Sequence, residues 1–219
     1  PTKENFLLKT EGIPKIVEGE ILLKALYVSL DPYIRGRMND VKSYVPPFEV
    51  GKPMQSGAVA EVVESKNKSY SVGAHLTGMM EWKKYQVSNG VGLFPVSADL
   101  APLSSYLGVL GVTGLTAYFG LLEIGKPKDG ETLVVSGAAG AVGITVSEIG
   151  RIKGCKVVGI AGSDEKIKQL KDKFKLDEAI NYKKTENMAK AIKEACPNGV
   201  DIYFDNVGGV VSDGVMLNA

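Results

Sequence analysis

The chain has 219 residues, 44% of them hydrophobic, and its 26 lysines and arginines nearly balance 25 aspartates and glutamates, for a formal net charge of +1. A chain of this size can bury a core as one or two domains, and without a basic excess it does not read as a nucleic-acid binder. Two cysteines, Cys155 and Cys196, are too few for a disulfide framework, and without a signal-peptide pattern a reducing cytoplasm is expected.

The first half reads as β. Glu20 to Leu30 is a long apolar strand closed by Asp31-Pro32, Gly57 to Val63 is a second, and Val72 to Val87 reads as a pair of short strands. Short strands punctuated by Gly and Pro point to a small barrel or sandwich. His75, the chain's one histidine, is expected to be half exposed on a strand. Leu100 to Leu122 carries no charge, but Pro102 and four glycines break it up, so two short buried helices fit better than a membrane span. Helical spacing at Leu115, Tyr118, Phe119 and Leu122 ends at Gly125, and a polar link, Lys126 to Gly130, follows.

The next segment carries the chemistry. Leu133-Val134-Val135 reads as a buried parallel strand, and glycines at 137, 140 and 143 follow at once, opening an amphipathic stretch that ends near Lys153. Glycines suit a turn that a pyrophosphate approaches closely, and the helix N-terminus behind it presents N–H groups and the positive end of its dipole. A second strand, Lys156 to Ala161, and a helix start at Ser163-Asp164-Glu165 complete a βαβ unit, so a dinucleotide is expected there. At the tip of the second strand, where an NAD site usually holds an acid, stands Gly162, followed by Ser163 and, a helical turn later, Lys166. This favours the 2′-phosphate of NADP(H). Asp164 complicates the reading, although a place just after an N-cap gives it an ordinary helical role. Beyond lie a helix from Ser163 to about Phe174, a strand near Ala179 to Asn181, a helix from about Glu186 to Cys196 and a fourth strand from Asp201 to Phe204.

Catalytic zinc needs three protein ligands and structural zinc usually four. One histidine and two cysteines, far apart in the sequence, make zinc and histidine acid–base schemes unexpected.

Five motifs in order, Asp31-Pro32-Tyr33-Ile34-Arg35-Gly36-Arg37-Met38, Gly114 to Gly120, Ala138 to Gly143 with Gly159 to Ser163, Asn181-Tyr182-Lys183, and Phe204 to Gly209, give the chain a family resemblance. It resembles the medium-chain dehydrogenase/reductase superfamily, and within it the zinc-independent branch of prostaglandin reductases, leukotriene B4 12-hydroxydehydrogenase, 2-alkenal reductases and bacterial NADP-dependent oxidoreductases. The resemblance implies an α/β chain: a GroES-like β-barrel catalytic domain over residues 1–123, then a Rossmann doubly wound parallel sheet over 124–219, incomplete at its C-terminal end because relatives continue past the position of Ala219. It implies cofactor contacts at Gly140, Ala141, Val142, Gly143, Gly162, Ser163, Lys166, Tyr182 and Asn206. It also implies a substrate-side tyrosine at Tyr44, a substrate wall at Met79 and Met80, and a homodimer. Asp31 stands where zinc-dependent relatives carry a cysteine ligand.

The activity expected from this resemblance is NADPH-dependent reduction of the carbon–carbon double bond of an α,β-unsaturated ketone or aldehyde, with Tyr44 as the polar donor to the carbonyl. A quinone reductase would share nearly all these motifs, and a non-catalytic NADP-binding protein is the alternative of another class.

Overall fold

A computed structural model describes residues 1–219 as two compact units, Pro1–Leu107 and Gly108–Ala219. The first is built on an antiparallel sheet of β1 (Ile21–Val28), β2 (Gln55–Ser65), β3 (His75–Glu81), β4 (Tyr85–Ser88) and β5 (Phe94–Val96), hydrogen-bonded in the order β4-β1-β2-β3-β5. Eleven-residue β2 is central because it pairs along both edges, with β1 on one side and β3 on the other. Alternation along the strands sends Ile21, Leu23, Ala58, Ala60, Val62, Leu76 and Met80 into one apolar cluster, which Leu93 joins from the turn before β5. Pro32, whose missing N–H costs nothing at a first helical position, opens the short helix α1 (Pro32–Arg37). His75 is half-buried at the start of β3, as its sequence context predicts.

The second unit is a parallel sheet of β6 (Thr132–Ser136), β7 (Lys156–Ala161), β8 (Glu178–Asn181) and β9 (Ile202–Phe204), in the order β8-β7-β6-β9. Its strands are apolar on both faces because helices cover both. Leu133, Val135 and Val157 point to one side, toward α2 (Val112–Phe119), α3 (Ala141–Ile152) and α4 (Asp164–Asp172). Val134, Val158 and Ile160 point to the other, toward α5 (Met188–Ala195) and α6 (Gly209–Met216). The chain winds outward from β6 to β8 and then returns to place β9 on β6's other edge. That reversal creates a crevice beyond the carboxyl ends of β6 and β9, where ligands bind in such sheets.

Two expectations from the sequence need correction. The units divide between Leu107 and Gly108, not at residues 123/124, because Ala117 and Leu121 pack into the core of the second unit with Leu133 and Val146. The uncharged stretch before β6 is not a pair of buried helices. Its first part, Leu103–Leu107, is a 3₁₀ turn with no buried residue, and α2 buries only Gly114 and Ala117 while Leu115, Tyr118 and Phe119 stay about half exposed. Apolar composition alone could not show which face of α2 is covered. The helix widens into a π turn at Gly120–Gly125 and stops at Lys126 in the left-handed conformation (φ 48°).

Candidate functional site

Between β6 and α3 the chain makes a turn that only glycines permit. Gly137 is left-handed (φ 58°), Ala138 N–H donates to the Ile160 carbonyl at 3.0 Å, and Gly140 N–H donates to the Gly137 carbonyl at 2.9 Å. A side chain at Gly143 would place its Cβ 2.5 Å from the Gly137 oxygen and 2.7 Å from Ala138 Cα. The N-cap of twelve-residue α3 is Gly140, which has no side chain to cap the helix, so the N–H groups of Ala141, Val142 and Gly143 have no side-chain acceptor. A cradle shut to side chains with uncapped donors behind it fits a pyrophosphate.

The turn forms one wall of a cleft of about 290 Å³, lined also by Gly162, Lys166, Tyr182 and Lys183. Ser163 caps α4 through its hydroxyl, which accepts from Lys166 N–H at 3.3 Å. Gly162 sits under the end of the Tyr182 ring: a Cβ there would lie 2.9 Å from it, so the ring would have to turn aside. Asp164, the carboxylate that complicated the sequence reading, does not line the cleft. Its carboxyl accepts from Asn181 Nδ2 at 2.6 Å and from Lys184 Nζ, and these two bonds, Lys184's first, hold it below the usual carboxylate range.

At the end of β9 the structure has a knot that the sequence did not reveal. Asp205 Oδ1 accepts four hydrogen bonds, from Ser136 Oγ and Tyr203 OH at 2.8 Å and from the N–H groups of Val207 and Gly208 at 2.9 Å. Ser136 Oγ in turn accepts from Asn206 N–H at 2.8 Å, and Asn206 Nδ2 donates to the Ser136 carbonyl at 2.9 Å. The knot clamps the loop after β9 to the end of β6, and Asn206 lies against Gly137, where an added Cβ would sit 3.3 Å away. With Nδ2 committed to the backbone, Asn206 keeps Oδ1 as an acceptor. Burial favours the neutral acid at Asp205, but the donors from Gly208, Val207, Ser136 and Tyr203 together outweigh it and hold the carboxyl well below its usual range. Burial first, and then the hydrogen bond to Asp205 and its charge, push the Tyr203 phenol up to about 12.

A carboxyl with a depressed folded-state pKa adds stability above its unfolded pKa, about 3.9, and that stability is lost as pH falls below it. Asp205→Asn keeps the shape and removes the charge. At pH 7 it should cost about 1 kcal/mol, the value of charged hydrogen bonds reduced for solvent exposure. Urea unfolding from pH 7 down to pH 3 should show the gap between wild type and Asp205→Asn closing below about pH 4. A gap that stays constant would assign the effect to packing and not to charge.

The other candidates belong to the first unit. Tyr44 is on a loop and 86% exposed. The phenol of Tyr33 feels Tyr44 and is itself raised, chiefly by burial and then by Asp31. Met79 and Met80 do not form a common wall: strand alternation leaves Met79 58% exposed and drives Met80, 4% exposed, into the apolar cluster. Asp31 accepts from Ser29 Oγ at 2.7 Å.

Residues 1–96 match the family described as the N-terminal domain of oxidoreductase, and residues 141–216 match the one described as zinc-binding dehydrogenase. The two matches follow in order, one to each unit. The chain belongs to the medium-chain dehydrogenase/reductase superfamily. Over 216 residues, 99% of this chain and 62% of the relative, it is 45% identical to the NADPH-dependent curcumin reductase of Escherichia coli. It is 44% identical over 223 residues to the NADP(+)-dependent 2-alkenal reductase of Nicotiana tabacum, covering 100% of this chain and 65% of that one. The structure of CurA from Vibrio vulnificus in complex with NADPH superimposes with a TM-score of 0.90 at 45% identity, covering 100% of this chain and 64% of CurA. The chain thus spans a little under two thirds of the length of these superfamily members.

The donor set of this chain does not fit the zinc in the second family's description. Cys155 and Cys196 are buried in separate apolar clusters, with thiols raised chiefly by burial, and no three His, Cys, Asp or Glu side chains form a group that could hold a metal ion.

Proposed function

We propose that the protein is an NADPH-dependent, zinc-independent reductase of carbon–carbon double bonds conjugated to a ketone or aldehyde. The observation that carries the reading is the cleft at the end of β7: a glycine cradle continues into a ribose end where Lys166 and Lys183 line the wall and no carboxylate does. That charge pattern suits a 2′-phosphate and would leave an NAD ribose without its usual acidic acceptor. The NADPH-dependent and NADP(+)-dependent names of the curcumin and 2-alkenal reductases support the cofactor, and a 2-alkenal is the conjugated carbonyl of this reading.

Bound NADPH supplies a hydride, which the amino-acid side chains cannot. The substrate accepts it at the β-carbon, charge builds on the carbonyl oxygen, and a proton is delivered to the α-carbon. In this reading the N–H groups of 141–143 hold the pyrophosphate, Lys166 the 2′-phosphate, Tyr182 the adenine side and Asn206 Oδ1 the nicotinamide ribose. Tyr44 donates a hydrogen bond to the developing enolate oxygen and keeps its proton, and Met79 contributes an adaptable apolar surface. The protein works in the cytoplasm as a homodimer.

The test is NADPH oxidation monitored against enals, enones and quinones in parallel. Turnover of enals and enones with no dependence on added zinc is expected; turnover of quinones alone would make it a quinone reductase, and NADPH binding without turnover would make it a non-catalytic binder. Tyr44→Phe removes one hydroxyl and keeps the ring. It should lower kcat/KM on small enones about five- to tenfold, less than a fully enclosed oxyanion donor would, because water can partly replace an exposed phenol. NADPH affinity should not change. Wild-type turnover by Tyr44→Phe would remove the tyrosine from the mechanism.

A further inference from the structure

We propose that Lys184 is a specificity-determining residue, which selects for the 2′-phosphate by holding the Asp164 carboxylate off the cofactor cleft; the inference rests on the NADP reading above. Asp164 stands two residues past the tip of β7, where a carboxylate facing the cleft would repel a phosphate and accept the hydroxyls of an unphosphorylated ribose. The turn after β8 prevents that. Asn181 works in two directions, with Oδ1 accepting from Lys183 N–H at 3.1 Å and Nδ2 donating to Asp164 at 2.6 Å. Thr185 Oγ1 and Lys184 N–H, at 2.8 and 3.1 Å, both donate to the Asn181 carbonyl and fix the turn. Two successive lysines therefore diverge: Lys183 lines the cleft with Lys166, while Lys184 pairs with Asp164, and neither partner of that pair lines the cleft. The arrangement presents two cations to the ribose end and turns the Asp164 carboxylate away from it. Lys184 acts on the ligand only through Asp164.

The experiment is a double-mutant cycle on Kd for NADPH and NADH, using Lys184→Gln, Asp164→Asn and the double variant. Lys184→Gln should weaken NADPH about two- to fivefold, the range of one exposed charge pair, while leaving NADH unchanged or slightly tighter. In the Asp164→Asn background the same substitution should have no effect on either cofactor. If Lys184→Gln weakens NADPH equally in both backgrounds, Lys184 meets the phosphate directly and the inference is overturned. Equal losses for NADPH and NADH, or no loss, also overturn it while leaving the NADP reading in place. A wild-type protein without preference for NADPH sinks that reading and this inference with it.

Discussion

Gly143→Ala is expected to weaken NADPH binding about 100-fold while the protein still folds. Inside a helix, alanine is normally worth up to about 1 kcal/mol over glycine, so the sign is decided by what the new methyl group meets. Here it meets backbone, the Gly137 oxygen at 2.5 Å and Ala138 Cα at 2.7 Å, and neither can swing aside as a side-chain end could. The turn has to move, at a cost of about 1–3 kcal/mol in stability. Its N–H groups move with it, and losing the equivalent of about one charge-assisted phosphate hydrogen bond accounts for the hundredfold change. Titration of NADPH, with thermal unfolding alongside, reads both effects. Gly36→Ala is the control: it is an exposed glycine in α1 with nothing within 4 Å of an added Cβ, and it should be neutral or slightly stabilising. If Gly143→Ala holds NADPH as tightly as wild type, the phosphates lie elsewhere.

Lys166→Ala should weaken NADPH on the order of 10- to 100-fold, the loss of one charge-assisted phosphate bond, and leave NADH nearly untouched. The lysine lies in the first turn of α4, exposed and lining the cleft. Its backbone N–H, not its ammonium, makes the bond to the Ser163 cap, so truncating the side chain leaves the cap intact. Equal losses for both cofactors would assign Lys166 to the pyrophosphate, and no loss would remove it from the site.

Much of the second unit was legible because its signals are local. The run Leu133-Val134-Val135, the glycines after it and the Ser163 cap each act within a few residues, and the structure has a strand, a turn and a helix start at those positions. The Asp205 knot was not legible. Its partner Ser136 is 69 residues away in sequence, and nothing near Asp205 announces that two parallel strand ends will meet. Pairing also decided the methionines, since which of two adjacent residues enters the core depends on the register of β3 against β2. Asp164 could be read as a cap-adjacent acid, but the residues that bind its carboxylate, Asn181 and Lys184, come from another strand and its turn. The boundary after Leu107 was hidden for a similar reason: α2 joins the second unit through Ala117, a contact made across the core and not along the chain.

The ring of Tyr182 over Gly162 constrains how this site could change its cofactor. An acid at the β7 tip is the usual mark of an NAD site, yet here any side chain at that position meets the tyrosine at 2.9 Å. A single exchange of Gly162 for aspartate would therefore turn the Tyr182 ring aside as it added the acid, so positions 162 and 182 are coupled in any change of cofactor preference.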